Sequence, residues 1–353
     1  MRVWLALAAM AIGCAVASSG QGQATAGSAR PQLVIIDTDI GDDIDDAFAL
    51  ALALKSPELK ILGVTTAFGD TELRARLVDR YLAAVGRTDI PVAAGVKTPA
   101  NNVFTQAAYA KRSRLDGCGF FSPGLGTKIS TAKRVSKADD AGGAEHRKSG
   151  DAVGFLLDEI RANPGQITLI AIGPLFNVQA AIEKDPATFK KLKRVVIMGG
   201  SIDRGYDTAT DKNRPPDAEW NINRDPAGLK ALLGAGVPVF MMPLDSTQIH
   251  FEEAERDKLF AFGSPLTDQL TLLYHEWMWA NDGHWATPTL FDPVAVTYTI
   301  RPDLCPATPM HIDVDDKGFT RRGEGPPNAQ VCLKSDEEGF LELLTRRIES
   351  DSK

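Results

Sequence analysis

From position 37 to 46 the chain reads Asp-Thr-Asp-Ile-Gly-Asp-Asp-Ile-Asp-Asp, and the apolar run Leu33 to Ile36 leads straight into it. No other feature constrains the fold as hard. A short run of Leu, Val and Ile reads as a buried strand. Six carboxylates in the next ten residues repel one another strongly if all are ionised. Such a cluster needs a cation or takes up protons. Helix capping uses one or two acids at a helix start, not six, and Ala47 to Lys55 reads as the helix that follows. The cluster therefore sits where a strand ends and a helix begins, which is where open parallel sheets bind their ligands. Its hard oxygen donors select Ca²⁺ or Mg²⁺ over softer metals. An EF-hand does not account for it. Counted from Asp37, the sixth and twelfth positions of such a loop hold Asp42 and Phe48, not Gly and Glu.

The remaining periodicities agree with a parallel sheet. Strand-like runs at Ile61 to Ala67, Ile90 to Ala94, Ile167 to Ile172, Val195 to Met198 and Val237 to Met241 alternate with helical patterns. The helical patterns are Thr71 to Val85, Asp151 to Ala162, Leu175 to Glu183, Pro226 to Leu233, Glu252 to Ala280 and a segment from Pro293. Two strands, His311 to Val314 and Gln330 to Leu333, and a helix from Glu337 to Ile348 close the chain. This alternation predicts the α/β class, a single domain with a mostly parallel, Rossmann-like central sheet flanked by helices. Between Asn101 and Gly150 the pattern stops, and a stretch that long without periodicity is functional or mobile.

The first 30 residues are expected to be an address and a leader rather than part of the fold. Arg2, the apolar stretch Val3 to Val16 and Ala15-Val16-Ala17 form a signal-peptide pattern. A Gly-, Ser-, Ala- and Gln-rich leader then runs to Arg30, which leaves 31–353 as the domain. The expected location is secreted or periplasmic, with lipid anchoring at Cys14 ranked lower and no membrane association after signal removal. With 39 Lys and Arg against 46 Asp and Glu, the chain lacks the basic excess that phosphate backbones attract, and nucleic acid is not an expected partner. No CxxC pair occurs among its four cysteines, so a zinc ribbon is excluded. Export permits a Cys305–Cys332 bridge with Cys118 left free; three unpaired thiols are the other reading.

Two readings of the acidic run stay open at this point. Asp37-Thr38-Asp39 fits the start of a haloacid dehalogenase-like phosphatase, although Gly41 replaces the Thr or Val that usually follows. The second reading comes from a resemblance. Asp37, Asp39, Gly41, Asp45, Asp46 and Ala47 match the Asp-x-Asp-Pro-Gly-x-Asp-Asp-Ala hallmark of the inosine–uridine preferring nucleoside hydrolases, with Ile40 for Pro and two extra residues between Gly41 and Asp45. Further segments resemble that family in order: Val64 to Asp70, Ile172-Gly173-Pro174-Leu175 with Asn177, Val196 to Gly200, Asn213 with Ala218 to Asn221, and Phe291-Asp292-Pro293.

The resemblance implies the nucleoside hydrolase fold, a homodimer or homotetramer, and Ca²⁺-dependent hydrolysis of the N-glycosidic bond of ribonucleosides. It implies a metal held by Asp39, Asp46, Asp292 and the main-chain carbonyl of Ile172, with Asp39 as general base. It implies ribose binding by Asp45, Asp70, Asn213, Glu219 and Asn221. Met198 would pack beneath the sugar or simply in the core, and Trp220 would shape the 5′-hydroxyl end or be core. Phe291 stands where the inosine–uridine members carry a His, and Asp70 where they carry Asn. Both changes resemble the family's purine-specific branch. Tyr109, His284 and Trp285 are candidates for a second stacking face or a proton, or are structural. With that His missing and the loop lengthened, a non-catalytic nucleoside- or riboside-binding protein is a third reading, beside the phosphatase.

Overall fold

The computed structural model describes residues 30–99, 104–111, 151–208, 210–212, 214–281 and 287–350. Its strands are β1 (Gln32–Thr38), β2 (Leu59–Thr66), β3 (Val92–Ala94), β4 (Ile167–Ala171), β5 (Arg194–Met198), β6 (Val239–Met242), β7 (Ala307–Met310), β8 (Ile312–Val314), β9 (Thr320–Arg322) and β10 (Ala329–Cys332). Its helices are α1 (Asp45–Leu54), α2 (Thr71–Ala84), α3 (Ala107–Lys111), α4 (Ala152–Ala162), α5 (Phe176–Lys184), α6 (Pro186–Phe189), α7 (Trp220–Arg224), α8 (Pro226–Gly234), α9 (Leu244–Thr247), α10 (Glu253–Phe260), α11 (Pro265–Ala280), α12 (Pro293–Ile300) and α13 (Glu337–Ile348).

Eight strands form one sheet in the order β3-β2-β1-β4-β5-β6-β10-β7, parallel except for β7, which runs antiparallel to β10. β1 lies inside, and alternation along it divides the core. Val34 and Ile36 point to the layer that holds α1, α2, α11, α12 and α13, while Ile35 points to the layer of α4, α5 and α8. A strand covered on both faces loses any polar alternation, which is why Val34 to Ile36 read as a continuous apolar run. From β1 the chain builds outward through β2 and β3, then returns to β4 on the other side of β1 and continues to β6. The order reverses between β1 and β4. That reversal opens a crevice beyond the carboxyl ends of the strands, and Asp39 and Ile172 follow the two strands that flank it.

The sheet and its helical layers agree with the α/β, single-domain expectation. The C-terminal strands differ from it in detail. The expected run His311 to Val314 is β8, which pairs with β9, whereas the strand that pairs with β10 is β7, just before that run and not expected from sequence. Pro309 lies in β7, the outermost strand, where a residue without an N–H is tolerated. The helical stretch Glu252 to Ala280 is broken at Gly263, whose φ is +72°, and α11 restarts with Ser264 capping Thr267 and Pro265 in its first turn. Cys305 and Cys332 form a disulfide with their Cα atoms 5.6 Å apart, joining the approach to β7 to the end of β10. Cys118 lies outside the described residues, as does most of the stretch 101–150. Among the described residues no helix is long and apolar enough to cross a membrane.

Candidate active site

The acidic run is folded into two groups. Asp45 and Asp46 open α1, and Asp292 immediately precedes α12. Oxygens of these three carboxylates lie within 4.8 Å of one another, and all three side chains are buried. The Asp292 N–H donates to Asp45 Oδ2 at 3.2 Å, and the Thr38 hydroxyl donates to Asp46 Oδ1. Burial pushes the three pKa values well above the ordinary carboxylate range, and mutual repulsion adds to it. Asp39 lies beside them at the end of β1, is 6% exposed, and is raised to about 7, chiefly by burial. Its charge is felt by Asp45, Asp46 and Asp292. A divalent cation removes this penalty, and the donors are all hard oxygens, so the residues present fit Ca²⁺ or Mg²⁺.

The tightest trio therefore contains Asp45, which the resemblance assigns to ribose, with Asp39 beside it. Ile172 ends the β4 side of the crevice. Its N–H donates to the Asp37 carbonyl at 2.8 Å, and its carbonyl accepts from Asn221 Nδ2 at 3.2 Å. The next residue must be small. A Cβ on Gly173 would lie 2.7 Å from Asp39 Oδ1 and 2.9 Å from the Asp39 nitrogen. The β4 turn thus comes directly against Asp39, an approach only glycine allows.

Asp37 has a different fate. Its Oδ1 accepts from Thr65 Oγ1 at 2.5 Å and from Asn177 Nδ2 at 2.7 Å, and burial raises it to about 6. Asn177 also donates to the Thr66 carbonyl and accepts from the Val96 N–H. This pair ties β1 and β2 to the start of α5 beneath the crevice. At 1% exposure Asp37 is not available as a phosphatase nucleophile.

On the opposite side, Glu219 is the N-cap of α7. Its carboxylate accepts from the N–H groups of Gly200 at 2.9 Å, Asn221 at 2.9 Å and Ile222 at 3.1 Å, and from the Tyr206 hydroxyl. Burial, the largest influence, still lifts it to about 7. Asn221 Nδ2 reaches the Met198 carbonyl at 3.2 Å as well as Ile172, so β4, β5 and α7 are joined at one amide. Met198 is buried at the end of β5. Trp220 is half-exposed, lies edge-on to Phe68 at 6.2 Å, and has the Arg224 guanidinium over its ring at 3.8 Å. Phe291 meets the edge of the Tyr206 ring at 6.1 Å.

Asp70 is exposed and caps α2, accepting from the Leu73 N–H at 3.1 Å. Tyr109 is fully buried and donates to Gln269 Oε1 at 2.6 Å, which makes it structural. Asn213, His284 and Trp285 lie outside the described residues.

Two residues were missed from sequence. Tyr206 carries no motif; it is found only because its phenol accepts from the Trp220 N–H at 2.9 Å and donates to Glu219. Arg74 is 2% exposed and pairs with Asp42 at 2.7 Å. The signal for Arg74 was present: it shares the apolar stripe of α2 with Leu77, Val78 and Tyr81. A charge on a buried face has a partner.

Comparison with known proteins places this geometry. The family model described as "Inosine-uridine preferring nucleoside hydrolase" matches residues 34–342. A pyrimidine-specific ribonucleoside hydrolase, RihA, of Citrobacter koseri is 30% identical over 340 residues, covering 89% of this chain and 97% of the relative. Among solved structures, the plant nucleoside hydrolase PpNRh1 superposes with a TM-score of 0.71 at 26% identity, over 91% of this chain and 99% of that one. A purine-preferring ribonucleoside hydrolase from Gardnerella vaginalis has the same fold, with a TM-score of 0.69 at 23% identity over 90% and 98% of the two chains.

Proposed function

The chain belongs to the inosine-uridine preferring nucleoside hydrolase family and is an N-ribosyl hydrolase of nucleosides, and from that premise we propose which of its residues do the work. Asp39 is the general base. Asp39, Asp46, Asp292 and the Ile172 carbonyl hold Ca²⁺, with Asp45 near enough to share it. When bound, the cation offsets the carboxylate charge and acidifies water at the site. The single observation that carries this reading is the convergence of Asp45 and Asp46 with Asp292, which is 246 positions beyond Asp46 (292 − 46), on one buried point.

Water adds to the anomeric carbon and gives a proton to Asp39. The N-glycosidic bond breaks, its electron pair leaves with the base, and the base takes up a proton from solvent, to which Asp39 returns its own. The sugar passes through a cation-like state, as in other glycoside hydrolyses. Carboxylates fixed around the anomeric carbon stabilise that charge without having to reorganise. Asp45, Glu219, Asn221 and Asp70 bind ribose hydroxyls, together with Asn213. Glu219 suits the task because three backbone N–H groups hold its carboxylate still. Phe291, steadied by Tyr206, packs against the leaving base in place of a proton-donating His. Phe291 and Asp70 resemble the purine-specific branch, whereas the relative from C. koseri is named pyrimidine-specific. A substrate panel must hold both base classes.

We further propose that the protein is exported and assembles as a homodimer or homotetramer. The signal-peptide pattern supports export, and the Cys305–Cys332 disulfide suits an oxidising compartment. The test is incubation of the mature protein and Ca²⁺ with purine and pyrimidine ribonucleosides, measuring free ribose. Release that is lost in Asp39→Ala, with the fold intact, is expected. Binding without any ribose would overturn hydrolysis in favour of a riboside-binding protein.

A further inference from the structure

The acidic loop has two more residues than the family hallmark between Gly41 and Asp45, and something must hold the longer loop still. Its backbone carbonyls show how. Those of Asp39 and Ile40 accept from Arg74 Nη1, the second at 3.0 Å. That of Gly41 accepts from the Gln106 N–H at 3.0 Å and from Thr105 Oγ1 at 3.1 Å. That of Asp42 accepts from Thr105 Oγ1 at 2.8 Å, and that of Asp43 from Gln106 Nε2 at 2.8 Å. Five consecutive carbonyls are thus turned toward Arg74 and residues 105–106.

Arg74 does more than this. Nη2 binds Asp42 Oδ2 at 2.7 Å, and Nε donates to the Phe68 carbonyl at 2.8 Å. Phe68 is the one non-glycine residue among the described residues with a positive φ, +63°. A non-glycine residue keeps that conformation only where its surroundings impose it. The guanidinium also lies over the Phe104 ring at 5.0 Å, and Phe104 packs where a Cβ on Gly41 would clash.

We propose that Arg74 is the positioning residue of this site, clamping the lengthened acidic loop after β1 to the strained end of β2 so that Asp39, Asp45 and Asp46 face the cation. A guanidinium carries five donors on three nitrogens in one plane, whereas an ammonium has three on a single atom, too few for the Phe68, Asp39 and Ile40 carbonyls and Asp42 together. Asp42, inside the lengthened segment, is its charge partner, so the extra residues and the buried arginine form one device. The effect on the cation rests on the Ca²⁺ reading above; the clamping of the loop does not.

The experiment compares wild type, Arg74→Lys and Arg74→Met. Ca²⁺ affinity is measured by calorimetric titration of the metal-free protein, and amide hydrogen exchange is followed across 39–44 and 68–70. Arg74→Lys is expected to melt near wild type, to bind Ca²⁺ about 10- to 100-fold more weakly, and to lose kcat more than KM. Exchange in both segments should accelerate in the same variant, with or without Ca²⁺. Arg74→Met serves as the stronger perturbation if it folds; Arg74→Lys decides the matter if it does not. Unchanged exchange in Arg74→Lys would overturn the proposal whatever the metal does. Faster exchange in a protein whose wild type binds no Ca²⁺ would leave the clamp standing and remove the metal reading alone.

Discussion

Asp292→Asn should stabilise the metal-free protein and destabilise the Ca²⁺-loaded one. Asp292 lies within 4.8 Å of both Asp45 and Asp46. At that distance each fully ionised pair repels by about 3.5 kcal/mol at an effective dielectric of about 20. The fold relieves much of this by protonation, since all three pKa values are pushed well up. A net gain of about 1–2 kcal/mol is what remains for the neutral amide, or about 1.5–3 °C in Tm for a domain of this size. Calcium acts in the other direction. Bound as proposed and at a concentration 100-fold above its Kd, it would stabilise wild type by about 2.7 kcal/mol, and the variant, lacking a ligand charge, by much less. Thermal melts in EDTA and in CaCl₂ should therefore reverse in order. The pH dependence follows the same sign. Carboxylates with folded pKa values above their unfolded value of 3.8 contribute stability that is complete below it and is lost as pH rises through the folded value. Asp37 at about 6 and Asp39 at about 7 place part of that loss between mildly acidic and neutral pH, so wild type in EDTA should melt lower as pH rises there. An Asp292→Asn protein that melts below wild type in EDTA and keeps the full calcium shift would refute the reasoning.

Three other perturbations test separate joints of the site. Gly173→Ala drives a Cβ to 2.7 Å from Asp39 Oδ1, so ribose release should fall by about 100-fold while circular dichroism stays native. Tyr206→Phe keeps the ring against Phe291 but removes the hydroxyl shared by Glu219 and the Trp220 N–H. KM for ribonucleosides should rise by about 5- to 10-fold, in line with the loss of one hydrogen bond of about 1 kcal/mol, and initial-rate kinetics at both base classes will show it. Cys305→Ser with Cys332→Ser opens a 27-residue separation and should cost about 3–4 kcal/mol of stability in denaturant titration, leaving kcat unchanged.

The sheet was legible because its strands are covered on both faces. Val34 to Ile36 and Val195 to Met198 are apolar throughout, and Ile167 to Ala171 is apolar but for the buried Thr168, and that pattern is local. α13 was equally plain, with Asp336 as its cap and an apolar face of Phe340, Leu343, Leu344 and Ile348. β7 was not, because it depends on which strand β10 accepts as a neighbour. Ala307 to Met310 has little apolar character of its own and is held by its ladder to β10 and by the nearby disulfide. Pairing of that kind is a long-range property, and no window of residues contains it.

The site divides along the same line. Residue types that announce their chemistry stand out in sequence, as six acids after a buried strand and an Asp before Pro293 do, and the fold brings Asp45, Asp46 and Asp292 together. How they are wired was not found, because wiring is carried by backbone. The carbonyls of Asp39, Ile40, Gly41, Asp42 and Asp43 look alike in any sequence, and what orients them is a guanidinium 31 positions beyond Asp43 (74 − 43) and a Thr-Gln pair on the far side of β3. The same holds for Asp45, whose place in the carboxylate trio follows from accepting the Asp292 N–H. Motif matching assigns a role to a position, whereas the loop's hydrogen bonds set which way each oxygen points. A two-residue insertion leaves the first nearly intact and can change the second, and Arg74, bonded to the carbonyls of Asp39 and Ile40 and to Asp42, is where substitution tests the difference.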